Sequence, residues 1–244
     1  MIKTVIIFLR DLLPLFILFA YLQSFYPSFF KFNRSKIWSL LLALLLILLV
    51  GPALEFSNDW FDGTGTEWLS MVMLISVLGC ILILGSKSEN IKSHSIWLAA
   101  VCFSGLTFSS FALYFSVEMV VVESINTLIV SSVMGLGICI SFYILWSFVL
   151  NELYSLNRSS VYALVALFVA GQTAKIVNHL HQIDAISLGS QSLGSIEHII
   201  SEQSELGHIL KALVGFESAP SQLFIIVYLI TGVAVFFNFQ RNKL

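Results

Sequence analysis

Long apolar runs, broken at intervals by short polar connections, set the architecture of this chain. Seven runs are long enough to form helical spans of about 20 residues. They are Val5–Phe25, Ile37–Phe56, Trp68–Gly85, Ile96–Phe115, Ile125–Leu150, Val161–His181 and Leu223–Phe239. No alternating strand pattern competes with them, so the expected fold is all-α: a polytopic membrane bundle forming one domain over residues 1–244. The connection after the sixth run is the longest, and there the apolar period changes. Ile196, Ile199, Ile200, Leu206, Leu210 and Leu213 fall on one stripe, which predicts an amphipathic helix over Ser195–Val214 lying at the extracytoplasmic surface.

Composition agrees with the pattern. Hydrophobic residues make up 58% of the chain and charged residues 11%, against about 25% charged in soluble domains, which excludes an ordinary soluble fold. The net charge of −2, with no basic run, gives no nucleic-acid signal. Cys80, Cys102 and Cys139 fall within predicted spans and read as small apolar residues. Arg10 and Asp11 interrupt the first apolar run, which argues against a cleaved signal peptide.

The remaining charges alternate between connections. Lys31, Arg34 and Lys36, then Lys87 and Lys92, then Arg158, then Arg241 and Lys243 mark one side. Glu55, Asp59, Asp62 and Glu67, then Glu118 and Glu123, then Asp184 through Glu217 mark the other. The positive-inside rule puts the N-terminus outside and the C-terminus in the cytoplasm. Gly79, Gly85, Gly105, Gly135 and Gly137 are expected to let neighbouring helices approach closely.

Chemistry concentrates at Arg10 and Asp11. Ionisable residues at membrane depth cost about 2.5–3.5 kcal/mol on insertion scales and point to function by default. Pro14 removes the helical bond to the carbonyl four residues back, that of Arg10. Successive helical side chains diverge, so the two charges need not pair with each other, and Arg10 is expected to meet an acid from another helix. The sixth run ends in KIVNHLHQID, with Lys175, Asn178 and Gln182 on one face and His179 beside them. On the predicted surface helix, His198 and Glu202 stand four apart, a spacing that permits metal capture and equally suits a solvated face. There is no GxSxG, HExxH or P-loop, and no nucleophile–base pair, so the chain does not read as an enzyme.

Two stretches carry a family likeness. SELGHILKALVGFESAPS, Ser204–Ser221, and LFVAGQTAKIVNHLHQID, from Leu167 to Asp184, resemble the last-helix block and the sixth helix of the oxidase-dependent ferric-iron permeases. The resemblance implies seven spans with the N-terminus outside, arranged as an inverted three-helix repeat plus a seventh helix. It also implies the cell membrane (for a bacterium, the inner membrane) and a partner that is a periplasmic or extracellular iron-binding protein or an oxidase. Iron would be the substrate, with no resident cofactor. The family carries an Arg-Glu-x-x-Glu motif on its first and fourth spans. Here Arg10 matches the arginine, Asp11 stands for the first glutamate and Pro14 replaces the second. In the fourth span, Ser109 and Ser110 fall where arginine and glutamate are expected, and Leu113 where the second glutamate would be. A second register places Glu123 on the motif glutamate.

The resemblance therefore implies a path past Arg10, Asp11, Ser109 and Ser110, with Asp11 as metal ligand. Glu118, Glu123, His198 and Glu202 are the outlying candidates, and the acidic connections would raise the local cation concentration. Hard cations select carboxylate oxygens, and this chain offers fewer than the family motif. That leaves two readings: import of iron or a related metal cation, or a non-transporting membrane subunit that kept the permease fold and lost its site.

Overall fold

The structure is a computed structural model that describes residues 2–26, 56, 60–83, 89–121, 125–186, 194, 197–198 and 200–242. All but Phe56 of the second predicted run lies outside the described residues, as does Glu123. The first span is α1 (Ile2–Ile7), a π-helical turn (Phe8–Leu12) and α2 (Leu13–Phe25). A short 3-10 turn, Trp60–Gly63, leads into α3 (Gly65–Ile83). There follow α4 (Glu89–Val121), α5 (Ile125–Leu156), α6 (Arg158–Gln182), the short α7 (Glu205–Val214) and α8 (Gln222–Asn242). Among the described residues, six helical segments are long and apolar enough to cross a bilayer, which marks an all-helical membrane protein.

The burial pattern is what a lipid solvent demands. Ile129, Val133, Ile144, Leu145 and Phe148 on α5, and Ile230 on α8, are exposed although strongly apolar. In water this would be a liability, whereas in acyl chains it costs nothing. The core sits around α6, against which α8, α3 and α7 pack. Phe168 of α6 is buried between Tyr21 of α2, at 5.5 Å between ring centroids, and Phe103 of α4, at 6.2 Å. At one end Phe25 stacks on Tyr162 at 6.0 Å and meets Phe239 of α8 at 5.7 Å. The pairs Phe25–Tyr162 and Tyr21–Phe168 show α2 and α6 running antiparallel. Moving from Tyr21 toward Asp11 therefore moves along α6 toward Lys175.

Several expectations change on contact with the structure. The amphipathic helix begins at Glu205 rather than Ser195, because residues 202–203 form a turn and Ser204 caps the helix by accepting from the Gly207 N–H at 3.0 Å. The chain doubles back over Gly207, where an added Cβ would stand 2.2 Å from the Ser201 carbonyl oxygen. Nor are all the predicted small-residue contacts present among the described residues. A Cβ on Gly135 would lie 2.7 Å from the Phe8 ring, whereas none of the described residues comes within 4 Å of one on Gly79 or Gly137. Helical periodicity sets which residues are small, and only packing decides which of them another helix approaches.

Candidate functional site

Pro14 shapes the first half of the site. The Leu13 N–H bonds the Phe8 carbonyl, five residues back, and Phe8–Leu12 is a π turn. Such turns are rare and concentrate at functional positions. The wider turn also narrows the angle between successive side chains. Arg10 and Asp11 form a bidentate pair, with Nε donating to Oδ1 and Nη2 to Oδ2, each at 2.9 Å. The expected divergence of these neighbours is thereby corrected, and both Asp11 oxygens are engaged by its own neighbour.

The second half comes from the connection between α6 and α8, which folds back into the bundle instead of staying at its rim. Gly215, in a left-handed conformation at φ 71°, ends α7 and lies backbone to backbone against Gly171, near the middle of α6. An added Cβ on Gly215 would stand 2.2 Å from the Gly171 Cα, and one on Gly171 would stand 2.5 Å from the Gly215 Cα. The Tyr228 hydroxyl donates to the Val214 carbonyl at 2.8 Å, satisfying the last turn of α7. A surface helix as predicted needs no such support. Leu213 and Ile209 pack on the core, while Leu206 is exposed.

Glu202 closes this hairpin. Its Oε1 accepts from the Ser218 N–H at 2.7 Å and its Oε2 from Lys211 Nζ at 3.1 Å, tying the chain before α7 to the chain after it. Asn178 of α6 donates to the Glu217 carboxylate at 3.3 Å. Burial pushes the Glu202 carboxyl up, but the Ser218 N–H and Lys211 outweigh it and hold the group below the ordinary carboxylate value. Glu217 is raised by burial, with the Asn178 bond opposing. His208 is lowered by burial, then by Arg10 and Lys211. A carboxylate with a depressed folded pKa contributes stability above its unfolded value of about 4.5 and loses it as pH falls through the folded value. Thermal unfolding in detergent should therefore weaken below about pH 4.5, and Glu202→Gln should flatten that limb. An unchanged acid limb in the variant would remove Glu202 as its source.

Lys175 faces the same region from α6. Its Nζ donates to Gln172 Oε1 at 2.7 Å, and it lies within electrostatic reach of Lys211 and Asp11. The Gln172 side chain is buried, and its Nε2 has no hydrogen-bond partner among the described residues. Because α7 packs on both the π turn and α6, Arg10, Asp11, Lys175, Glu202, His208, Lys211 and Glu217 lie on adjoining elements and influence one another electrostatically.

The other sequence-predicted residues are more dispersed. Ser109 is buried in α4 with a hydroxyl unpartnered among the described residues, whereas Ser110 bonds back to the Leu106 carbonyl of its own helix at 3.1 Å. Helix α4 does reach the π turn, through the ring contact of Phe111 with Phe8 at 4.8 Å. Glu118 lies on the last turn of α4. His198 is exposed on a turn, and Glu202 is bonded to Lys211 and Ser218 rather than sharing a helix with His198. No group of three or more potential metal-binding side chains is present among the described residues. Sequence reasoning missed Gln172, Lys211 and Glu217. The signal that pointed to them was Gly215 after a short amphipathic helix, a helix stop that could also mark a chain entering a bundle.

The site is thus a broken first helix facing a short helix that packs on both the π turn and α6. No family model, curated protein or solved structure matches the chain.

Proposed function

We propose that this protein is a divergent ferric-iron-permease-like membrane protein that moves iron or a related metal cation along a path past the first and fourth spans. The observation that carries the reading is the junction of the Arg10–Asp11 π turn with α7. Broken helices and inserted segments at membrane depth are tolerated where they line a path or are covered by protein, and transporters build their sites from them. In this reading residues 37–56 supply a seventh span, the first three and next three spans form an inverted repeat, and the N-terminus is extracytoplasmic. Iron is substrate rather than cofactor, and an iron-binding protein or oxidase outside the cell membrane delivers it.

A second reading has its own support. Both Asp11 oxygens are held by Arg10, and Ser110 is bonded within its own helix, so the metal path retains little free ligand. This favours a membrane subunit that kept the permease fold without transport. Purified protein in liposomes separates the two. Metal uptake above protein-free vesicles, saturable in ferrous or ferric iron, is the expected result for the permease; uptake at the protein-free rate in both oxidation states leaves the subunit reading.

A further inference from the structure

The N-terminal end of α3 carries more open aromatic surface than a chain folding in water would leave there. Trp60, Phe61 and Trp68 are all exposed, Phe61 at 70%. Phe56, exposed to the same degree, sets its ring against Trp60 at 5.7 Å between centroids, and Phe61 meets Trp68 at 6.4 Å. Phe61 holds its place against its own backbone. Its φ is 51°, in the left-handed region that a bulky side chain seldom enters. Thr64 fixes the turn, since its N–H and its hydroxyl both donate to the Phe61 carbonyl, at 3.3 and 2.8 Å. Strain of this kind gathers at functional positions. Here it serves an aromatic ring that the bundle does not bury.

The level of these rings along α3 says what they meet. Further along the helix the exposed large residues are Val72, Ile75 and Ile83, which share one face with Trp68 by helical spacing. Met71, Leu74, Val77 and Ile81 are buried in the bundle. The exposed stripe is therefore the acyl-facing side of α3, and Trp68 is its end member. Helix α3 has 19 residues, about 28 Å at 1.5 Å per residue, against about 30 Å of hydrocarbon. Its first turn thus stands at the edge of the hydrocarbon, and Trp60–Gly63 lies just beyond it, where tryptophan rings are favoured. No Lys or Arg occurs from Phe56 to Ile83, so attraction to anionic headgroups has no source in this segment. We infer that Phe56, Trp60, Phe61 and Trp68 form an interfacial anchor, seated at the headgroup–acyl boundary of a zwitterionic bilayer, that fixes the depth of α3. Burying this apolar surface in lipid offsets the strain at Phe61. The anchor acts whether or not a metal crosses.

The test is fluorescence quenching of the full chain in phosphatidylcholine nanodiscs. Trp60→Phe keeps an aromatic ring, and wild-type emission minus that of the variant isolates Trp60 from the other tryptophans; Trp68→Phe does the same for Trp68. Both signals should be quenched strongly by phosphatidylcholine brominated near the headgroup end of its acyl chains. Bromine near the terminal methyl should quench them less, and aqueous acrylamide little. Exchanging part of the lipid for phosphatidylglycerol should change none of this. Acrylamide quenching of Trp60 as strong as in the unfolded chain puts the ring in water and overturns the proposal. Shielding from both lipid bromine and acrylamide puts protein on the rings, a second copy or another partner, and overturns it as well. Quenching by lipid bromine that requires phosphatidylglycerol does the same. The unmodified chain gives a further measurement: hydroxyl-radical labelling of Trp60 and Phe61, read by peptide mass spectrometry, should fall several-fold in nanodiscs relative to the unfolded chain. Equal labelling overturns the anchor even if neither variant can be purified. Metal flux is read in no arm, so failure here leaves the permease reading to its own experiment.

Discussion

Replacing Gly215 with alanine is expected to destabilise the protein by about 3 kcal/mol or more, the sum of overpacking and a left-handed backbone imposed on a residue with a Cβ. The new methyl would stand 2.2 Å from the Gly171 Cα, in a place where both neighbours are backbone and neither can rotate away. Relief requires α7 to withdraw from α6. Withdrawal would also strain the Tyr228–Val214 bond and the Glu202 bridge to Ser218 and Lys211. Gly171→Ala meets the same wall from the other side, at 2.5 Å from the Gly215 Cα, but without the backbone strain, so its loss should be smaller. Gly79→Ala, at a helical position with no neighbour within 4 Å among the described residues, is the matched control and should be neutral or slightly stabilising. Thermal or denaturant unfolding in one detergent, comparing the three variants, reads the order directly. A Gly215→Ala protein as stable as Gly79→Ala would show that α7 does not lie against α6.

The second large effect belongs to Asp11. Asp11→Asn keeps the size and removes the charge, taking from Arg10 the carboxylate that holds its Nε and Nη2. Breaking a buried ion pair from one side costs about 3–5 kcal/mol, and partial exposure of the guanidinium brings the expected loss to about 2 kcal/mol. Removing both partners with Arg10→Met and Asp11→Leu should restore most of that stability, because no uncompensated charge remains. The cycle of two single variants and the double variant gives the coupling. A double variant no more stable than Asp11→Asn would mean that the pair is held by groups other than each other. Metal flux in the same proteoliposomes adds the functional arm. If Asp11 is a ligand on the path, both Asp11→Asn and the double variant lose uptake, although the double variant is folded.

Much of the architecture was legible without coordinates because membrane helices are written one at a time. A span must satisfy its own backbone hydrogen bonds and present apolar side chains to lipid. Its length and hydropathy are therefore local properties, and six of the predicted runs coincide with described helices to within a few residues, apart from α4, which begins earlier and ends later, and the C-terminal end of α5. Arg10 and Asp11 stood out for the same reason, since charge at membrane depth is costly wherever the segment packs. Pro14 announced a defect in the helix, though not its form. Whether the missing bond yields a kink, a free carbonyl or a π turn depends on what packs around it, here the Phe8 ring against Gly135 and Phe111.

The reach of α7 was not legible in this way. The amphipathic stripe in the long connection is equally compatible with a helix on the surface and with one inserted between spans, because lipid and protein interior are alike apolar. Only the meeting of Gly171 with Gly215, 44 positions apart in sequence, selects insertion, and such a contact leaves no periodic trace. The charged site follows from that choice. By itself the sequence determined an all-helical membrane chain with two opposite charges in its first span, and their pairing with each other came only from the structure. The tertiary structure decided that Lys175, Lys211, Glu202 and His208 gather around that pair, since desolvated charges take their partners from whatever segment the packing brings within reach.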